Sequence, residues 1–225
     1  MKKASEFFTD EEKEEIAEAI VSAESLTAGE IVPVVATASG RYDRAEDIFG
    51  VVFALVLLTI YWLFFPFSTE SGWSSDTLAQ PPLWPVLVII VVGFVAGAFL
   101  ATVVPALRLP FIARKEMQEE VERRALETFQ RQRIRATEGA TGVLIYVSLY
   151  EHMVHVVGDD AVNEKITAQD WQVVADLVVE GMKKKRPENG LAVAILKCGD
   201  MLREHFPLQE GAVNELSDGL VFIDL

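Results

Sequence analysis

Residues 48–67 read IFGVVFALVLLTIYWLFFPF, and residues 83–107 read LWPVLVIIVVGFVAGAFLATVVPAL. Neither stretch holds an Asp, Glu, Lys or Arg, and each is long enough to cross hydrocarbon about 30 Å thick, which takes about 20 helical residues. No Lys or Arg occurs anywhere in 45–107. The remainder is acidic: 34 Asp and Glu stand against 20 Lys and Arg in 225 residues, a net charge of −14, although 51% of the chain is hydrophobic. Mean hydropathy is +0.26 and the isoelectric point about 4.7. The two tendencies coexist because the apolar residues are segregated. A pair of buried core helices is the competing reading, but a domain of this size has little core in which to hide them. We therefore expect a two-helix transmembrane hairpin over 48–107, with an outer loop at 68–82.

Flanking charge orients the hairpin. Arg41 and Arg44 precede the first span, Arg108, Arg114 and Lys115 follow the second, and the loop carries no cation. By the positive-inside rule the loop faces out and both termini lie in the cytoplasm. Tyr61, Trp62, Trp73 and Trp84 fall near the outer end, where interfacial aromatics sit. No apolar stretch follows Met1-Lys2-Lys3, so the first span is expected to insert without a cleaved signal. Gly93, Gly97 and Ala101 form a stripe of small residues that lets helix backbones approach within a bilayer. That stripe could serve the first span, a second copy or another membrane protein. No carboxylate or basic group lies within either span, which argues against an ion path through the pair.

The two flanks, 1–47 and 108–225, read as one split α/β domain. Thr9 and Glu12 form a capping box that opens a helix to about Ser25. Thr27-Ala28-Gly29 then turns the chain into the β-rich run Glu30-Ile31-Val32-Pro33-Val34-Val35-Ala36. Pro33 lacks a donor, which suggests an edge position or an irregular strand start. A helix is expected over 114–135, with Met117, Val121, Ala125 and Phe129 on one side. A central strand over 143–149, a turn at Tyr150-Glu151-His152 and a strand over 153–158 follow. Thr167 and Asp170 offer caps for a helix to 185. Pro187-Glu188-Asn189-Gly190 breaks it, and a last helix runs over 191–205.

This ordered set resembles the TPM-domain family, in its membrane-anchored bacterial subgroup. The matching residues are Thr27-Ala28-Gly29-Glu30-Ile31-Val32, Ala140-Thr141-Gly142-Val143-Leu144-Ile145 with Val147-Ser148, Val154 to Asp160, Asp170-Trp171, His205-Phe206-Pro207 and Asn214-Glu215-Leu216. The resemblance implies a small β-sheet sandwiched between helices. It also implies three candidate roles: divalent-cation binding, phosphatase-like activity, or an accessory part beside a membrane complex.

The residues weigh these roles unequally. Gly158-Asp159-Asp160 ends a strand, Glu164 lies close behind, and Glu30 starts a strand that could neighbour it. Hard cations such as Ca²⁺ take six to eight oxygens, several from carboxylates, so Asp159, Asp160 and Glu30 are the candidate metal ligands. The spacing is unlike an EF-hand loop, and turn propensity favours Asp159 and Asp160 as turn and cap residues over metal ligands. Cys198 lies one position short of the spacing at which a thiolate and Arg203 could share a phosphate. It is the only cysteine, which excludes an intramolecular disulfide framework, and it reads as a small core residue. His152, His155 and His205 do not converge, and no hydrolase or nucleotide-binding motif is present. The acidic balance argues against nucleic acid as a partner. The run Lys183-Lys184-Lys185-Arg186 either closes a helix, where cations suit the dipole, or meets anionic headgroups. The expected function is a non-enzymatic, membrane-anchored accessory or scaffold protein working with a membrane-protein partner or a second copy. The alternative is a divalent-cation-dependent phosphohydrolase.

Overall fold

The computed structural model describes residues 2–64, 82–134, 139–208 and 219–224. The chain divides into two compact units, 1–40 with 115–225 and 41–114. Most of the outer loop 68–82, Trp73 and the motif Asn214-Glu215-Leu216 lie outside the described residues.

In the first unit a four-stranded sheet runs in the order β3-β2-β1-β4. It is built from β1 (Ile31–Ala36), β2 (Val143–Ser148), β3 (Met153–Gly158) and β4 (Val221–Ile223). β1 is parallel to β2 and β4, and β3 is antiparallel to β2. Period-2 alternation divides the strands between two cores. Ile31, Val35, Val143, Ile145 and Val147 face one side, which three helices cover: α1 (Asp10–Glu24), α6 (Ala168–Lys183) and α7 (Pro187–His205). Val32, Val34, Ala36, Leu144 and Tyr146 face the other, where α4 (Arg114–Arg131) sets down Val121, Ala125 and Phe129. β1 and β2 are buried along their whole length because both faces are covered. The sheet is sandwiched between helices, as the resemblance implies.

Caps fix the helix starts. The Thr9 hydroxyl accepts the Glu12 N–H while the Glu12 carboxylate accepts the Thr9 N–H, and Thr167 and Asp170 repeat the arrangement at α6.

Three expectations are corrected. Pro33 lies in an interior strand, not at an edge. Val143 N–H donates to Glu30 C=O and Thr37 N–H to Ile223 C=O, so even-numbered residues of β1 address β2 and odd-numbered ones address β4. β4 pairs only from Val34 onward, so the nitrogen of Pro33 falls where no ladder bond is asked of it. The last helix starts at Pro187 rather than 191, because proline suits the first helical position, where its missing N–H is unused. The helix after the hairpin stops at Arg131 rather than 135, and Arg133 takes a left-handed φ of 56°.

The second unit is a helix pair, α2 (Asp43–Phe64) and α3 (Leu83–Val103), followed by two short 3-10 turns. A Cβ on Gly97 would stand 2.7 Å from the Phe53 Cβ and 3.0 Å from the Gly50 Cα, and one on Gly93 3.0 Å from the Ala54 Cα. The small residues are therefore what allows the two backbones to touch. At the base of the pair, Arg108 binds Glu46 at 2.6 Å and the Arg41 carbonyl at 3.1 Å, while the Thr102 hydroxyl donates to Glu46 at 2.9 Å.

Candidate functional site

The sheet gives the first unit two chemically distinct ends. Because β1 and β2 are parallel and β3 returns, the start of β1, the start of β2 and the end of β3 lie together. Val143 N–H donates to Glu30 C=O at 2.8 Å and Asp159 N–H to Gly142 C=O at 2.9 Å. The structure thus brings Glu30 and Asp159, both buried, to one end of the sheet. β2 runs between them, so their backbones are about 9–10 Å apart at ordinary strand spacing. Glu24 joins this end, its carboxylate accepting the Ile31 N–H at 2.8 Å.

Asp159 serves as N-cap of the short helix α5 (Asp160–Asn163), and its Oδ1 accepts the Asp160 N–H at 2.7 Å. The Asn163 amide donates to Gly158 C=O at 2.6 Å, and Trp171 Nε1–H donates to Asn163 Oδ1 at 3.1 Å, which ties the turn to α6. Asp160 and Glu164 are exposed. Among the described residues no three His, Cys, Asp or Glu side chains converge as a metal-binding group. If a divalent cation binds here, Glu30, Asp159 and Asp160 are the residues to hold it, and their oxygens would have to turn toward one point.

The remaining candidates lie apart. Cys198 is fully buried on α7, and burial pushes its thiol up to about 12. His155 is half-buried on β3, where desolvation lowers its pKa against the opposing pull of Glu122. His152 is in the turn before β3 and His205 ends α7, so no pair of histidines meets.

The opposite end holds a cluster that reading the sequence missed. Past β1, the N–H groups of Ser39 and Gly40 both donate to Glu151 Oε1, at 2.9 and 3.2 Å. The Ser148 hydroxyl donates to Glu151 Oε2. Ser39 Oγ lies 2.8 Å from Ser148 Oγ and 3.2 Å from the Tyr146 hydroxyl, and Arg124 Nε–H donates to the Ser39 carbonyl at 3.2 Å. Ser39, Tyr146, Ser148 and Glu151 are all buried. Burial raises the Tyr146 pKa, a shift that the Ser39 hydrogen bond opposes and the Glu151 charge reinforces. The available signal was the serine closing an otherwise apolar strand, since a buried hydroxyl must find a partner. Beside it, Thr37 accepts from Ala4 N–H at 2.8 Å and donates to Asp224 at 2.9 Å, and the Ser5 hydroxyl donates to Asp224 at 2.6 Å. These contacts join both termini to β1.

In the second unit, Gly93 and Gly97 pack against α2 and Ala101 is buried, so the two glycines of the small-residue stripe are used within the chain. Both helices are long and apolar enough to cross a membrane, with mean hydropathy of 2.2 and 2.8, and only 11% and 17% of those windows are buried. A core helix would be mostly buried. These present apolar side chains outward instead, including Leu63 (73% exposed), Trp84, Phe99 and a groove lined by Val91, Val95 and Phe99.

Residues 105–201 match the family described as the TPM domain. That match covers less than half of the chain. The matched span takes in α4 to most of α7; β1 shares the sheet of the TPM domain but lies before that span. Among solved structures, the chain is similar to the NMR structure of BA42 protein from the psychrophilic bacterium Bizionia argentinensis. The TM-score is 0.57 at 20% identity, covering 98% of this chain and 99% of that one. At that identity the likeness speaks for the fold. No curated protein matches the chain.

Proposed function

We propose that the chain is a non-enzymatic TPM-domain protein anchored in a bacterial inner membrane, acting as an accessory or scaffold for a membrane protein or a second copy. In this reading α2 and α3 cross the bilayer as a hairpin, the loop 68–82 faces out, and both termini and the TPM domain face the cytoplasm. One observation carries it. The small residues of the pair are spent on each other, and the large apolar side chains point outward. Only lipid or another apolar protein surface satisfies such an exterior.

The test is a mild-detergent purification of the full-length chain with native mass determination. Stoichiometric co-purification of one membrane protein, or a defined homo-oligomer, kept in an Asp159→Ala/Asp160→Ala variant, is expected. A clean monomer would contradict it. The second reading, a divalent-cation-dependent phosphohydrolase using Asp159, Asp160 and Glu30, is favoured by the placement of Glu30 and Asp159 at the same end of the sheet. It expects turnover of a simple phosphate ester that the same double variant abolishes.

A further inference from the structure

The run Lys183, Lys184, Lys185 and Arg186 is the densest basic stretch in a chain of net charge −14. Its sequence fits two roles, a dipole-matched helix end or a headgroup contact, and its place in the fold discriminates between them.

The turn it occupies is fixed. A Cβ on Gly190 would come within 2.6 Å of the Gly181 Cα, so α6 and α7 meet backbone to backbone beside it. Arg186 N–H donates to Gly181 C=O at 3.0 Å and Gly190 N–H to Arg186 C=O at 3.1 Å. Lys185 takes a φ of 59°, the left-handed value that closes the turn. The cations are therefore held on a rigid projection. Lys184 and Arg186 are each 67% exposed; they pair with Glu180 and Glu188. Among the described residues Lys183 and Lys185 have no ion pair.

The projection lies at a particular end. α6 starts beside the acidic end, where Trp171 meets Gly158 and Asn163. It then runs 16 residues, about 24 Å, away from it. α7 returns over 19 residues, and its Leu202 would lie 2.9 Å from a Cβ on Gly29, next to Glu30. The turn between them is thus far from Glu24, Glu30, Asp159 and Asp160. It lies at the end where β1 finishes and the chain leaves through Ser39 and Gly40. From Gly40 to Asp43, where α2 begins, extended chain spans at most about 11 Å. The acidic end and the basic turn therefore lie at opposite ends of the first unit, and the basic turn shares the end from which the chain exits toward α2. α1 also brings acids to the exit end: Glu12 is committed to its capping box and Asp10 pairs with Lys13 at 2.9 Å, which leaves the exposed Glu11 of that turn to offset part of the positive charge.

We infer that the α6–α7 turn is a docking surface for the anionic headgroups of the bilayer that α2 and α3 enter, with Lys183 and Lys185 as its principal contacts. Basic clusters held at a surface of anionic lipid gain attraction with each cation, and the gain is screened by salt. This inference rests on the membrane-anchor reading above.

The test uses the full chain in nanodiscs of zwitterionic lipid and in discs with a third anionic phosphatidylglycerol. Amine-reactive labelling is read by mass spectrometry at Lys183, Lys184 and Lys185, with Lys165 near the acidic end as internal reference. Expected is labelling about fivefold slower at the turn in anionic discs, restored by high salt, with Lys165 unchanged. In a Lys184→Gln/Arg186→Gln chain, protection of Lys183 and Lys185 falls toward the zwitterionic value. Equal labelling in both discs overturns the docking surface, as does equal protection of Lys165. Protection by inorganic phosphate in zwitterionic discs assigns the turn to a soluble anion and overturns the lipid source. A chain stripped from both discs by alkaline carbonate overturns the anchor and the docking surface together; a retained chain with equal labelling overturns the docking surface alone.

Discussion

Replacing Glu151 with alanine tests how the first unit holds the point where its chain departs. The donors that meet this buried carboxylate include the Ser39 and Gly40 N–H groups and the Ser148 hydroxyl. A hydrogen bond to a charged group contributes about 1.5–3 kcal/mol net, and each buried donor left without a partner costs about 1–3 kcal/mol. The carboxylate is also relieved of its desolvation, so the contributions do not simply add. We expect Glu151→Ala to lose about 3–5 kcal/mol, a large share of a typical folding free energy of about 5–15 kcal/mol. For a domain of this size that corresponds to a fall in Tm of about 6–20 °C. Glu151→Gln keeps an acceptor for the two N–H groups and loses about 1–2 kcal/mol. The assay is thermal unfolding of the full-length chain in detergent, followed by the near-ultraviolet signal of buried Trp171, with hydrogen exchange read at the Ser39 and Gly40 amides. Those two amides should lose the most protection. An alanine variant within about 0.5 kcal/mol of the parent, the size of an ordinary surface substitution, would refute the reasoning.

Three further outcomes follow from packing and charge. Gly97→Leu drives a side chain into Phe53 and Gly50 and should destabilise the α2–α3 pair by about 1–3 kcal/mol in a bicelle unfolding titration; unchanged stability would mean that the backbones do not meet there. Cys198, with its thiol pushed up to about 12 by burial, should resist thiol reagents at pH 8 until the first unit unfolds; fast labelling of the native chain would contradict its burial. Asp224 has its pKa lowered, first by the Ser5 hydrogen bond and then by that of Thr37. Its folded pKa lies below the unfolded value near 3.9, so its contribution is present above about pH 4 and lost as pH falls through the folded pKa. Asp224→Asn should flatten that part of the stability–pH curve, and an unaltered curve would show that the contact with Ser5 and Thr37 is idle.

The hairpin helices, both capping boxes and the first three strands were legible because periodicity, caps and turn residues act locally. Pro33 misled because its tolerance depends on where the short strand β4 begins to pair, a non-local fact. Pro187 misled because a residue that ends one helix also opens the next. At the candidate site, Glu30 and Asp159 were named from strand ends alone, and the sheet order brings them to one end. The Glu151 cluster was invisible because Ser39 and Glu151 are separated by the whole hairpin and meet only once β1 and β2 pair. The small-residue stripe was legible as a packing surface, but its partner, α2, needed coordinates.

The most direct test of the membrane-anchored account is cysteine accessibility in intact spheroplasts. Single cysteines are placed at Ser75 in the loop, at Ser5 and at Asp200, with Cys198 as the buried native background. A membrane-impermeant maleimide should label the loop position in intact spheroplasts and the other two only after lysis. Labelling of all three before lysis, or of none until lysis, would contradict a hairpin that crosses the membrane with its TPM domain inside.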